Sequence, residues 1–213
     1  MRYRGIIFDL DGVIVHTDRY HYKAWKALAD RLGIYFDEEI NNRLRGVSRM
    51  ESLDIILERA ETVYSDAEKV GLAAEKNAEY QKLLEQMSPA DISPEVLGTL
   101  GALKARGIRL AIGSSSKNAG LILARTGIRG LFDAVSDGNN ITRSKPDPEV
   151  FALGAEYIRL SPEDCLVVED AIAGIDAAVA GGFDSAALGE AAGYAKATYT
   201  LARFGDLLEL CPG

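Results

Sequence analysis

Carboxylates follow two separate apolar runs of the sequence, at points where buried strands are predicted to end. Asp9 and Asp11 come directly after the first run, and Glu169 and Asp170 come directly after a later one. Ligands of an open parallel sheet bind beyond the carboxyl ends of its strands, so we expect these carboxylates to lie close together. Such groups repel one another, and oxygen donors without histidine or cysteine favour Mg²⁺. The sequence therefore predicts a magnesium site.

Hydroxyl groups and a lysine follow two further apolar runs. Ser114 and Ser115 come after one of them, and Lys145 ends the polar loop after the other. Together with Mg²⁺ and main-chain N–H groups, these side chains suit a phosphoryl group. Asp9 could then be a nucleophile that forms an aspartyl-phosphate, and Asp11 could be the general acid/base. We therefore expect phosphoryl transfer at this edge of the sheet.

Each of these motifs has an ordinary alternative when it is taken alone. An Asp-x-Asp-Gly sequence is most often a surface turn or part of a calcium loop. Glu169 and Asp170 could cap the helix that follows them, and Lys145 could simply be solvated. The placement of all the motifs after four strands is what favours phosphoryl transfer.

Alternating strands and helices must position these residues. Short apolar runs predict strands over residues 5–8, 108–112, 132–135, 166–168 and 185–188. Helical periodicity between most of them predicts helices over residues 95–105, 119–126, 148–159 and 171–180. This alternation is typical of an α/β fold with a doubly wound, Rossmann-like parallel sheet.

About eighty residues after the first strand do not fit this alternation, because that interval is far longer than an ordinary crossover. It shows only helical periodicity, over residues 20–32 and after two capping-box sequences that begin at Ser48 and Ser65. We interpret residues 17–88 as an inserted α-helical cap. Residues 1–16 and 89–213 then form the core domain.

Composition excludes several classes of protein. The chain has 213 residues and a formal charge of -8, which argues against a protein that coats nucleic acid. Two cysteines cannot form a disulfide framework or a structural zinc site. No apolar stretch is long enough for a signal peptide or a membrane span. We therefore expect a cytoplasmic monomer that has a small-molecule partner and binds neither nucleic acid nor membrane.

The motifs resemble those of the haloacid dehalogenase-like superfamily. They are the segment 9–14, Ser114, Lys145-Pro146 and Glu169-Asp170. Within that superfamily the cap resembles the β-phosphoglucomutase family, and the specific segments are residues 20–29, 46–53, 76–77, 88–91 and 114–118. The superfamily commonly has an acidic residue near the end of the first motif, where this chain has His16 at the expected hinge.

The resemblance implies a role for each site residue. Asp9 would be the nucleophile and Asp11 the acid/base. The Mg²⁺ ligands would be Asp9, Asp11, Glu169 and Asp170. The transferring phosphoryl group would be held by Ser114, Ser115, Asn118 and Lys145. The substrate would be bound by His21, Trp25, Gly46, Arg49, Ser52, Lys76, Ser116 and Lys117.

The sequence positions of two cap residues support these roles independently of the resemblance. Lys76 falls on the same helical face as several apolar residues, where a lysine either meets a partner or extends to the surface. Arg49 at a helix N-terminus opposes the helix dipole, and a bound anion would resolve that conflict.

The activity that the resemblance implies is the interconversion of β-D-glucose 1-phosphate and glucose 6-phosphate. It would proceed through an aspartyl-phosphate enzyme, with β-glucose 1,6-bisphosphate as activator and intermediate. The alternative is a Mg²⁺-dependent sugar-phosphate phosphatase, in which water accepts the phosphoryl group. A dehalogenase or a phosphonate hydrolase would not need Asp11, and a binding module without turnover would not need the complete set of motifs.

Overall fold

The sheet is built from short, buried strands that run parallel to one another. The computed structural model describes residues 2–44 and 48–212. The strands, labelled β1 to β6 in chain order, are Gly5–Phe8, Arg109–Gly113, Ala134–Ser136, Cys165–Glu169, Asp184–Ala187 and Tyr199–Thr200. Their order in the sheet is β3-β2-β1-β4-β5-β6, and every pair is parallel. The prediction of a doubly wound parallel sheet is confirmed.

β1 lies in the middle of the sheet between β2 and β4. Phe8 at its carboxyl end pairs with Ile112 of β2 and with Val168 of β4. All residues of β1 and β4 are buried, as expected for parallel strands that are covered on both faces. This register brings the residues that follow β1, β2 and β4 to one edge of the sheet.

The inserted segment is helical. Its helices, α1 to α4, are Asp18–Arg31, Glu38–Asn42, Arg49–Leu57 and Asp66–Leu84. Ser65 and Glu68 form the predicted capping box at the start of α4. Ser48 accepts a hydrogen bond from the Glu51 N–H at the start of α3. The short α2 was not predicted, because five residues are too few to show a helical period.

The helices α5 to α9 cover the sheet. They are Pro94–Ala105, Ala119–Arg125, Glu149–Tyr157, Ile172–Ala180 and Leu207–Leu210. The first four lie within two residues of their predicted bounds. Beneath α7 and α8, Ile7 and Val167 of the sheet pack with Phe151 and Phe183 in one apolar cluster. This packing fixes the strands whose ends carry the acidic residues.

The chain divides into two compact units. One unit, here called the core unit, contains the residues up to His16 and those from Met87 onward. The other, here called the cap unit, is Thr17–Gln86. The cap unit has its own apolar cluster, which includes Trp25, Leu28, Phe36 and Leu53. Of the helices in the described residues, none is both long and apolar enough to cross a membrane.

Candidate active site

Asp9, Lys145 and Glu169 form a buried charged triplet at the edge of the sheet. Asp9 follows β1 and is 7% exposed, and its N–H donates to the Val168 carbonyl at 2.9 Å. The Lys145 ammonium donates to Asp9 Oδ1 and, at 2.5 Å, to Glu169 Oε1. Lys145 follows a polar loop, and its peptide bond to Pro146 is cis. The fold thus brings together three predicted site residues that lie far apart in the sequence.

Gly12 allows Asp170 to approach the loop after β1. Gly12 has a φ of +89°, a conformation that favours glycine. A Cβ atom at this position would overlap the Asp170 carboxylate. Asp170 therefore lies directly against the Asp9–Gly12 turn, as the predicted convergence of the two acidic pairs requires.

Glu169 is fixed at both of its carboxylate oxygens. Oε1 accepts from Lys145, and Oε2 accepts from the Ala171 N–H at 2.9 Å. The residue is 1% exposed, and a Cβ atom on Gly174 of α8 would overlap its carboxylate. Glu169 therefore occupies a pocket that a glycine in the next helix leaves open.

The acidic residues carry more negative charge than Lys145 can balance. Burial, together with the charge of Glu169, raises the pKa of Asp170 to about 7. Burial also raises the pKa of Asp9 well above its usual range and outweighs the nearby lysine. Burial lowers the pKa of Lys145, but the charges of Asp9 and Glu169 raise it by more. A divalent cation would relieve this repulsion, and the oxygen-only donor set fits Mg²⁺.

A metal at this site would need oxygen ligands in addition to the acidic side chains. Among the described residues, no three histidine, cysteine or acidic side chains are grouped so that they could hold a metal by themselves. Asp9 precedes the Asp11-Gly12 turn and the Asp170 carboxylate lies against Gly12, and the resemblance implies that Asp11 binds the metal through its main-chain carbonyl. The residues present therefore fit a metal bound by two side chains and one carbonyl, completed by water and a phosphoryl oxygen.

Residues 114–118, here called the serine loop, follow β2 beside this site. The Ser114 N–H donates to the Ser136 carbonyl at 3.1 Å, which ties the loop to β3. Ser114 Oγ accepts from the Ser116 N–H at 3.1 Å, and Ser116 Oγ accepts from the Asn118 N–H at 3.2 Å. Ser115 Oγ is buried and has no hydrogen-bond partner in the part of the chain that the structure describes. A phosphoryl oxygen would satisfy such a hydroxyl.

The cap unit contains a second group of predicted residues, and this group is cationic. Lys76 of α4 is 3% exposed, and its Nζ lies 2.9 Å from His21 Nδ1. The same Nζ lies 4.6 Å from the ring centres of Trp25 and of Tyr80. His21 stacks on Tyr80 with ring centres 4.1 Å apart. Burial first, then the charges of Lys76 and Arg49, lower the pKa of His21 well below 6.5, so the imidazole is neutral at pH 7.

The remaining predicted cap residues differ in how far they are buried. Arg49 is the first residue of α3 and is half-buried, and burial lowers the pKa of its guanidinium. Ser52 and Trp25 are buried, and Trp25 belongs to the cap unit's apolar cluster. Gly46 lies outside the described residues. The structure thus brings His21, Lys76, Trp25 and Arg49 into one region of the cap unit.

Several residues that support the site were not predicted. Gly174 leaves space for Glu169, and the Phe151 ring centre lies 4.6 Å from the Lys145 ammonium. The Glu149 carboxylate accepts from the N–H groups of Thr142 and Arg143, which precede Lys145. A glycine inside a helix is unfavourable, so Gly174 was a signal of close approach that sequence reasoning could have used. Glu149 gave no such signal.

Comparison with known proteins places these features in a family. The family model for haloacid dehalogenase-like hydrolases matches residues 3–182. A β-phosphoglucomutase from Bacillus subtilis is 42% identical over 189 residues, which are 88% of this chain and 84% of the relative. A fructose-1-phosphate phosphatase from Escherichia coli is 34% identical over 185 residues, which are 86% of this chain and 95% of the relative.

A solved structure of a related protein has the same fold. The crystal structure of a β-phosphoglucomutase from Clostridium difficile superimposes with a TM-score of 0.87 at 39% sequence identity. The match covers 96% of this chain and 93% of that one. The similarity extends through both the core unit and the cap unit.

Proposed function

Because the chain belongs to the haloacid dehalogenase-like hydrolase family, we propose that it is a β-phosphoglucomutase. It would interconvert β-D-glucose 1-phosphate and glucose 6-phosphate. The observation that most supports phosphoryl transfer is the buried Asp9 after β1, which is bound by Lys145 and lies next to the serine loop. The 42% identity to a β-phosphoglucomutase favours the mutase over other activities of the family.

Asp9 is the proposed nucleophile. One of its carboxylate oxygens forms a bond to phosphorus, and the bond between phosphorus and the sugar oxygen breaks. Asp11 donates a proton to that leaving oxygen, and in the reverse direction it accepts the proton of the attacking hydroxyl. Lys145 favours the ionised form of Asp9 and holds its carboxylate in place, and the hydroxyls of Ser114 and Ser115 bind oxygens of the transferring group.

Mg²⁺ would be held by the carboxylates of Asp9 and Asp170 and by the main-chain carbonyl of Asp11. When bound, the ion neutralises charge on the phosphoryl oxygens and on the acidic residues. The assignment of Glu169 as a ligand stays a prediction. Both of its oxygens already accept hydrogen bonds, from Lys145 and Ala171, which favours a role in holding Lys145 in place.

The cap unit would bind the phosphate that does not react. Arg49 and Lys76 supply positive charge in a protein of net charge -8, and both affect the same histidine, His21. Trp25 supports Lys76 through the face of its ring. The assignments of Gly46, Ser52, Ser116 and Lys117 to substrate binding stay predictions.

The mutase needs a bisphosphate intermediate. Phospho-Asp9 donates its phosphoryl group to β-glucose 1-phosphate or to glucose 6-phosphate, which gives β-glucose 1,6-bisphosphate. The bisphosphate then reverses its orientation and returns its other phosphate to Asp9. For this cycle to work, phospho-Asp9 must react with the sugar hydroxyl faster than with water, so water must be excluded when sugar phosphate binds.

A sugar-phosphate phosphatase is the second candidate, favoured by the 34% identity to the Escherichia coli fructose-1-phosphate phosphatase. It would use the same Asp9, Asp11 and Lys145, and water would accept the phosphoryl group. The cationic group of the cap unit favours the mutase, because a bisphosphate has a second phosphate to bind.

A coupled assay distinguishes the two candidates. β-Glucose 1-phosphate is supplied with Mg²⁺ and a trace of β-glucose 1,6-bisphosphate, and glucose 6-phosphate and free phosphate are measured together. Rapid formation of glucose 6-phosphate with little free phosphate, abolished by chelation, supports the mutase. Stoichiometric free phosphate without glucose 6-phosphate would establish the phosphatase instead.

A further inference from the structure

The loop after β3 holds the main chain of the serine loop from one side. This loop, residues 137–140, is here called the β3 loop. The Gly138 N–H donates to the Ser116 carbonyl at 3.2 Å, and Asn139 Nδ2 donates to the Lys117 carbonyl at 3.1 Å. Two consecutive carbonyls of the serine loop are therefore bound by two consecutive residues of the β3 loop.

Asp137 fixes the orientation of the Asn139 side chain. Asp137 Oδ1 accepts from the Asn139 N–H at 2.8 Å and from Asn139 Nδ2 at 3.0 Å. An amide nitrogen has two donors, so Nδ2 gives one hydrogen to Asp137 and the other to Lys117. The Asp137 N–H in turn donates to Asn140 Oδ1 at 3.1 Å. Asn139 therefore acts as a donor in this network, and Asn140 acts as an acceptor.

Gly138 is required by the space available. A Cβ atom at this position would lie 2.5 Å from the Ser115 carbonyl oxygen and 2.9 Å from the Lys117 nitrogen. Both are main-chain atoms, which cannot rotate away as a side chain could. Any side chain at residue 138 must therefore displace the serine loop.

We propose that Gly138 and Asn139 are positioning residues, which set the main-chain path of Ser115–Lys117 and thereby the affinity for the sugar phosphate. This inference rests on the proposed function in one respect, since that function assigns substrate contacts to Ser116 and Lys117. The two anchors act at residues 116 and 117, whereas Ser114 has its own anchor on β3. Their loss should therefore weaken substrate binding more than turnover.

Two asparagine variants test the proposal with equal changes of charge at adjacent, exposed positions. Asn139→Asp loses the two hydrogen bonds that the side-chain amide donates and places a carboxylate near Asp137 and the Lys117 carbonyl. Asn140→Asp keeps an oxygen that can accept from Asp137. We expect Asn139→Asp to raise KM for β-glucose 1-phosphate about tenfold with kcat changed less than about threefold. Asn140→Asp should change KM by less than about twofold.

Two glycine variants provide an independent test. Gly138→Ala introduces the clash with the main chain of Ser115 and Lys117, so it should raise KM as Asn139→Asp does and also lower kcat, because Ser115 is proposed to bind the transferring phosphoryl group. Gly130→Ala is the control, because a Cβ atom there would meet nothing within 4 Å. Thermal unfolding of all four variants shows whether each remains folded at the assay temperature.

Hydrogen exchange of the amides of Lys117 and Asn118 gives a readout that does not depend on activity. We expect faster exchange in Asn139→Asp and Gly138→Ala than in their controls. Equal KM values within each pair would overturn the proposal, even if exchange were faster, because loop positioning would then have no effect on binding. A wild-type protein that forms no glucose 6-phosphate refutes the proposed mutase alone, since KM for phosphate release still compares the variants.

Discussion

The core unit and the cap unit concentrate opposite charges in buried positions. In the core unit, Lys145 contacts Asp9 and Glu169, Asp170 follows Glu169, and burial raises the pKa of Asp9 and of Asp170. In the cap unit, burial and then the charges of Lys76 and Arg49 lower the pKa of His21, and Lys76 contacts aromatic rings. The core unit thus has an excess of negative charge at its site, and the cap unit has an excess of positive charge.

This difference indicates a division of tasks. The excess of carboxylates in the core unit suits a metal ion and a phosphoryl group that changes its bonds. The excess of cations in the cap unit suits a phosphate that is only bound. The most informative substitutions therefore change one region and leave the other as it is.

The largest effect is expected in the core unit, for Asp9→Asn. Without the nucleophilic carboxylate no aspartyl-phosphate forms, so kcat should fall by at least about 10⁴-fold. Lys145 keeps its bond to Glu169, so the variant should still fold. Glucose 6-phosphate formation measures the loss, and Asp164→Asn on the surface is the matched control. Retention of full activity by Asp9→Asn would refute phosphoryl transfer through this residue.

The next largest effect is expected in the cap unit, for Lys76→Met. Loss of a charge that is proposed to bind the second phosphate should lower kcat/KM about 100-fold. Replacing a buried charge with an apolar side chain should not lower Tm. Lys69→Met, on the same helix and in an exposed ion pair with Asp54, is the control. If kcat/KM fell equally in the two variants, or if Lys76→Met had no effect, Lys76 would not bind substrate.

A smaller effect is expected when alanine replaces a helix glycine in each unit. Gly174→Ala in α8 overlaps the fixed carboxylate of Glu169, so kcat should fall about tenfold and Tm should decrease. Gly71→Ala in α4 meets nothing within 4 Å, and it should stabilise the protein by about 0.5–1 kcal/mol. Steady-state kinetics and thermal unfolding measure both. Equal Tm shifts would show that Glu169 is not closely packed against Gly174.

The smallest effect is expected from the pH dependence of His21. A folded pKa below 6.5 means that the unfolded state binds more protons as the pH falls through that value. The contribution of His21 to the free energy of unfolding should therefore decrease as the pH falls from about 7.5 to about 5, opposite in sign to the contributions of Asp9 and Asp170, and His21→Asn should remove it. Denaturant unfolding at several pH values tests this, with His16→Asn as the control. An unchanged pH dependence in His21→Asn would contradict a buried, neutral His21.

The acidic residues at the sheet edge could be predicted from the sequence, because parallel strands end at the same edge of a sheet. An apolar run followed by Asp9 or Glu169 is a local signal, and the alignment of strand ends brings those signals together. The partners of Lys145 and the space left by Gly174 depend on contacts between distant segments, so only the structure gives them. The same holds for Asn139, which looks like any asparagine in a polar loop. The mutase was suggested by resemblance of the cap segments and not by the charge pattern.

The most direct test of the central claim is the fate of a phosphoryl group on Asp9. The protein is incubated with Mg²⁺ and β-glucose 1,6-bisphosphate, and the phosphorylated peptide is identified by mass spectrometry. β-Glucose 1-phosphate is then added in a rapid chase. We predict phosphate on the peptide that contains Asp9, and its transfer to the sugar phosphate faster than its release to water. Release to water at the same rate with or without the sugar phosphate would contradict the mutase.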